Sequence, residues 1–138
     1  ATKSVYSIGR KEGIPRMNKA LILLAHGSRD PSWAQPFEAL AAALKEKHPE
    51  RRIALAFMEL TAPSLDEMLN TLAGDGLTEV EVLPIFFAAG RHLKRDVPNQ
   101  IEAFTKMNSM SVTLREPVGA WPEVQDTLAK TIGLKLEL

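Results

Sequence analysis

Two of the chain's three histidines and one glutamate stand at equal intervals. His26, Glu59 and His92 are each 33 residues apart (59 − 26 and 92 − 59). One strand–helix–strand repeat takes about 30 residues, so this interval sets all three at the same edge of a repeating fold. Imidazole binds first-row divalent metals and exchanges a proton near neutral pH. Two imidazoles beside a carboxylate therefore suit a divalent metal or proton transfer. Plainer roles compete. A histidine in a strand-to-helix loop can simply bond to backbone, and Glu59 can cap the helix that follows it. His48, beside Pro49, falls at the opposite edge and reads as a solvated helix-end residue.

The segment Phe86-Phe87-Ala88-Ala89-Gly90-Arg91-His92-Leu93-Lys94-Arg95-Asp96 changes character half-way. Its first half is apolar with small residues and glycine. Its second half adds three cations and one acid to His92. An apolar wall beside a cationic rim suits a flat hydrophobic ligand bearing carboxylates or phosphates. The same pattern also describes a core strand running into a solvated helix start. Gly27-Ser28, ahead of a helix, can offer backbone N–H groups to an anion. No GxGxxG, GxxxxGK[ST] or GxSxG motif is present, so dinucleotide, P-loop and hydrolase-elbow readings lack support. Trp33, Phe37 and the methionines read as packing residues.

The elements that must position these residues alternate. Ala20 to Ala25 is a continuous apolar run, as expected of a strand buried on both faces of a parallel sheet. Asp30 followed by Pro31 suits a helix entry, and Phe37, Leu40, Ala41 and Leu44 recur at helical spacing. Ile53 to Met58 is a second strand. Thr61 with Pro63 is expected to open a helix striped by Leu65, Met68, Leu69 and Leu72 and closed at Gly74-Asp75-Gly76. Val80, Val82 and Ile85 mark a third strand, followed by a loop from Phe86 to Val97 and a helix from Pro98 to Lys106. Ser111 to Leu114 is a fourth strand, and a last helix runs from Pro122 to Ile132. Strict alternation predicts an α/β three-layer sandwich: a four-stranded parallel sheet with helices on both faces. Ligands of such sheets bind beyond the carboxyl ends of the strands, where His26, Glu59, Arg91, His92, Arg115 and Glu116 fall.

The chain has 138 residues, with 17 basic side chains balancing 17 acidic ones. That balance disfavours a nonspecific nucleic-acid binder. Cysteine is absent, which excludes disulfides, thiolate metal sites and thiol catalysis. This fits a cytoplasmic protein. No apolar run reaches the roughly 18 residues of a membrane span. Residues 1–16 hold four basic side chains and no apolar core of a secretory signal. They read as an N-terminal extension or an expression remnant, and residues 17–138 as one domain starting at Met17.

Three blocks carry a family resemblance. They are Leu23-Leu24-Ala25-His26-Gly27-Ser28-Arg29, Met58-Glu59-Leu60-Thr61-Ala62-Pro63-Ser64-Leu65, and Phe87-Ala88-Ala89-Gly90-Arg91-His92-Leu93-Lys94-Arg95-Asp96-Val97-Pro98. Together they resemble the short CbiX type of sirohydrochlorin chelatase, over Lys19 to Ile132. The resemblance implies insertion of a divalent metal (cobalt, iron or nickel) into sirohydrochlorin, on the way to cobalamin or sirohaem, without ATP or a resident cofactor. It implies that His26, His92 and Glu59 hold the metal and move protons. It implies a homodimer, because the short form is similar to half of longer two-lobed relatives. Ser28, Arg29, Phe86, Phe87, Gly90, Arg91, Lys94 and Arg95 are then the residues expected to meet the tetrapyrrole. The extension over residues 1–16 departs from the family pattern, and no histidine-rich storage tract is present. Two other classes stay open: a non-catalytic tetrapyrrole or metal carrier, and a phosphoryl-transfer enzyme using His26. The His26-Gly27 pair resembles the histidine phosphatases, but Ala25 stands where they need arginine.

Overall fold

Four strands alternate with four helices in the computed structural model, which describes residues 18–88 and 90–138, and of His92 the backbone alone. The extension read over residues 1–16 lies outside the described residues. The strands are β1 (Lys19–Ala25), β2 (Arg52–Phe57), β3 (Glu79–Pro84) and β4 (Ser111–Leu114). The helices are α1 (Gln35–Lys47), α2 (Leu65–Gly74), α3 (Val97–Met107) and α4 (Pro122–Lys135). The strands form one parallel sheet in the order β2-β1-β3-β4. From β1 the chain goes to one neighbour, β2, and then crosses to the other, β3. Such a reversal opens a crevice at the carboxyl ends of the two central strands.

The apolar run of β1 is explained by its central place. Ala20, Ile22 and Leu24 face a core built with Leu65, Leu69 and Leu72 of α2 and Val97, Ile101 and Phe104 of α3. Leu23 faces the other way, onto Ala41 of α1 and Ile53 of β2. Helices thus cover both faces, as the alternation predicts. Trp33 and Phe37 pack with Ala25, Ala34 and Phe57 in a smaller cluster. The helix α4 contributes no buried residue.

Local chemistry moves several boundaries. Asp30 does cap, accepting from the Ser32 N–H (3.0 Å), but one 3-10 turn over Pro31–Ala34 precedes α1. Hydrogen bonds from the Ser32 hydroxyl and N–H hold the Asp30 carboxyl below its ordinary value. This cap therefore stabilises above the ordinary aspartate range and is lost as pH falls through the lowered value. Leu40 is 40% exposed, so the buried stripe of α1 excludes it.

Thr61 does not open α2. Ser64 does, through a capping box: its hydroxyl accepts from the Glu67 N–H (3.1 Å) and Glu67 accepts from the Ser64 N–H (2.8 Å). The Ser-x-x-Glu spacing satisfies two end donors at once, which Thr61 is three residues too early to do. Glu59 is likewise not the cap. The expected loop to Val97 is shorter than its sequence suggests, because a five-residue π turn over His92–Asp96 leads directly into α3. Such turns are rare and recur at functional sites.

Replacing Ser64 by alanine removes half of the box. We expect Ser64→Ala to cost about 1 kcal/mol, read as a lower urea midpoint at unchanged slope.

Candidate functional site

The register fixes what meets at the carboxyl edge. Ala25 pairs with Phe57, and Leu24 with Pro84, so the three strands end level. The next residues are His26, Met58-Glu59 and Ile85-Phe86. Because β1 lies between β2 and β3, His26 has Glu59 on one side and Phe86 on the other. The Glu59 N–H donates to the His26 carbonyl (3.0 Å). The Phe86 ring stacks on the imidazole with centroids 4.2 Å apart and planes 27° from parallel.

Gly27 makes this closeness possible. Its φ of +103° suits glycine, and a Cβ there would overlap the Glu59 carbonyl oxygen. From the other side, the Gly119 N–H holds the Phe86 carbonyl (2.9 Å), and a Cβ at Gly119 would overlap the Phe87 backbone. The loop after β4 therefore braces the residue that stacks on His26.

A cavity of about 120 Å³ opens here, lined by Leu24, His26, Met58, Glu59, Leu65, Asp96, Val97 and Gln100. The site joins His26 and Glu59, as the 33-residue interval requires. The π turn that begins at His92 ends at Asp96 on the cavity wall. The His92 side chain itself lies outside the described residues. Among the described residues no three histidine, aspartate or glutamate side chains lie close enough to share a metal ion.

Asp96 and Gln100 line the cavity without having been expected from the sequence. Asp96 sits in the third motif block, and Gln100 lies one helical turn beyond it. The i, i+4 spacing across the start of α3 was the available signal.

The remaining expected residues divide. Arg29, Arg91, Lys94 and Arg95 are exposed, which suits a rim. Phe87 is 63% exposed, whereas Phe86 is half-buried against the core and His26. Gly90 is exposed and its carbonyl accepts from the Lys94 N–H (3.1 Å). The Ser28 N–H donates to the Thr61 hydroxyl (2.9 Å), and the Ser28 hydroxyl accepts from the Asp30 N–H (3.1 Å). The N–H that an anion would use at Ser28 is thus engaged. Arg115 turns back to Glu81 (3.1 Å) and stands off the site. His48 is 54% exposed beside Glu50, at the opposite edge.

The CbiX family model matches residues 20–133, which takes in all four strands but for Lys19, and every residue that lines the cavity. The chain belongs to the CbiX family. It is 33% identical over 108 residues to the sirohydrochlorin cobaltochelatase of Sulfolobus acidocaldarius, covering 78% of this chain and 85% of that protein. It is 30% identical over 112 residues to that of Sulfurisphaera tokodaii, covering 81% and 89%. Among solved structures, a CbiX protein from Marinobacter aquaeolei superposes with a TM-score of 0.76 at 39% identity, over 86% of this chain and 98% of that one. SirB from Bacillus subtilis, with Fe3+, shares the fold at a TM-score of 0.71 and 22% identity. This CbiX chain spans 46% of that SirB chain.

Gly27 offers a direct check on the site's construction. We expect Gly27→Ala to cost about 1–3 kcal/mol of stability, since a side chain is strained at this φ. Its amide spectrum should shift most at His26 and Glu59, whose backbones the new methyl must part. Changes confined to residues 28–30 would contradict this picture.

Proposed function

We propose that this CbiX protein inserts a divalent metal, cobalt or iron, into sirohydrochlorin, as a metal-inserting lyase of cobalamin or sirohaem synthesis in the cytoplasm. The observation that carries this reading is His26, fixed between Glu59 and the Phe86 ring at the cavity mouth, in a chain whose curated relatives are named sirohydrochlorin cobaltochelatases. Metal insertion requires two pyrrole protons to leave and a partly dehydrated cation to reach the ring face. Imidazole serves both needs as ligand and base, and a carboxylate can share the cation or take a proton. His26, His92 and Glu59 supply these groups. Nickel satisfies the same donors, so the donor set does not select among the three metals. The metal is a substrate, and the reaction needs neither a resident cofactor nor ATP.

Cavity size supports a ring bound outside the cavity. Drug-sized ligands occupy cavities of roughly 300–1,000 Å³, so a space of about 120 Å³ takes an ion with some of its water and not a macrocycle. The tetrapyrrole lies across the mouth, with its apolar face against Phe87 and Gly90. Its carboxylates meet Arg29, Arg91, Lys94 and Arg95, the arginines pairing two-to-two with carboxylate oxygens. Phe86 contributes chiefly by fixing His26.

One lobe leaves the ring's far side open, and a second copy of this chain closes it as a homodimer. The free apolar face of α4 supports this pairing: Leu128 and Ile132 are 36% and 49% exposed, one turn apart. The SirB fold also runs to about twice this chain's length. No helix among the described residues is long and apolar enough to cross a membrane, and the evenly balanced charge gives no reason to invoke nucleic acid.

The test is initial metallation rate beside ring binding by absorbance, with the spontaneous rate subtracted. His26→Ala and His92→Ala should each slow insertion about 10²–10⁴-fold while changing ring affinity far less. Arg91→Ala and Arg95→Ala should weaken the ring complex and leave the saturated rate closer to normal. Glu59→Gln should slow insertion most when metal is scarce. Near-normal rates in both histidine variants would favour a carrier, and turnover of phosphate esters would favour phosphoryl transfer. For the dimer, Leu128→Asp with Ile132→Asp should halve the sedimenting mass at micromolar concentration. A wild-type monomer with full activity would contradict the pairing.

A further inference from the structure

The turn after β2 holds backbone strain that the proposed chemistry leaves unexplained. Leu60 has a φ of 65°, in the left-handed region that a branched apolar side chain rarely adopts. It is also 55% exposed, so burial of its own side chain does not account for the conformation. The Thr61 N–H donates to the Glu59 carbonyl (2.8 Å), closing a three-residue turn with Leu60 at its centre. Such a conformation typically costs about 1–3 kcal/mol and persists where surrounding contacts over-determine it.

Thr61 supplies those contacts. Its hydroxyl donates to the Ser28 carbonyl (2.8 Å) and accepts from the Ser28 N–H (2.9 Å). One side chain thus spans 33 residues and satisfies both backbone groups of a single partner, as a neighbouring strand would. The sheet itself ends at Ala25 and Phe57. Beyond it the two loops stay joined by Met58 to Ala25 (2.9 Å), Glu59 to His26 (3.0 Å) and then the Thr61 pair. Ser64 already caps α2, so the Thr61 hydroxyl is not needed for that helix.

We infer that Thr61 is a positioning residue: its hydroxyl clamps the loop after β2 to the loop after β1 and so fixes the Glu59 carboxylate relative to the His26 imidazole. This rests on the reading of His26 and Glu59 as the metal-handling pair. Without the clamp the strained turn relaxes, and Glu59 swings relative to a histidine still held by Phe86. Misplacing a reacting group by about 1 Å can cost on the order of 10²-fold in rate.

The test uses Thr61→Val, which keeps the shape and removes the hydroxyl, and Thr61→Ser, which keeps the hydroxyl. Three quantities are read on the full chain: cobalt insertion into sirohydrochlorin as kcat and KM, amide exchange at Ser28 and Glu59, and thermal unfolding. Thr61→Val should lower kcat about 10–100-fold, with KM for the ring within about threefold, by the same misplacement. Its Ser28 and Glu59 amides should exchange faster. Thr61→Ser should restore both rate and protection. A Thr61→Val chain that keeps kcat within twofold overturns the proposal and leaves the chelatase reading standing. If Thr61→Val fails to fold, Thr61→Ser decides: near-normal kcat supports the clamp, and a tenfold loss with the hydroxyl present overturns it. A wild-type chain inert towards sirohydrochlorin with every metal overturns the chelatase reading, and with it any role of Thr61 in that reaction.

Discussion

Everything at the site depends on β1 being a central strand, with β2 on one side and β3 on the other. A strand sealed between β2 and β3 has its backbone bonded along both edges and its side chains buried on both faces. His26 follows directly from the end of β1, so its Cα is set by a backbone paired along both edges. From outside the strand, Phe86 stacks on the imidazole and the Glu59 N–H holds the backbone carbonyl of His26. On the proposed chemistry, a group that meets both a metal and a flat ring gains from such pre-set geometry.

The same constraint explains why glycine stands at two positions where a larger residue would overlap backbone. Gly27 and Gly119 each lie against backbone, at Glu59 and Phe87 respectively. Both let neighbouring loops approach the carboxyl edge closely. Leu60 shows the converse, a side chain held where glycine would be relaxed. The edge of the sheet is therefore a place where local preference yields to the positions of His26 and Glu59. Such conflicts between local rule and global structure are expected at functional sites.

The large features were legible because they depend on patterns the chain repeats. Continuous apolar runs marked β1 and the alternation of elements marked the three layers, since burial on both faces requires the one and parallel crossovers the other. The 33-residue interval brought His26 to Glu59, since each repeat returns to the same edge. What sequence could not yield were choices between equivalent local partners. Thr61 with Pro63 reads as the start of α2, but the capping box between Ser64 and Glu67 starts it three residues later. Phe86 reads as ligand wall until its ring is seen on the imidazole. The π turn at His92–Asp96 has no period of its own to announce it. Asp96, which ends that turn, and Gln100, in the first turns of α3, both line the cavity.

The most direct measurement is a cobalt-edge anomalous difference map from a crystal soaked in cobalt(II). The expected result is one strong peak in the cavity at the carboxyl edge, about 2.1 Å from an imidazole nitrogen of His26, the usual reach of such a ligand. Glu59 or His92 should complete its contacts. A peak held instead by His48 and Glu50 at the opposite edge, with His26 unoccupied at saturating cobalt, would contradict the assignment of the metal path.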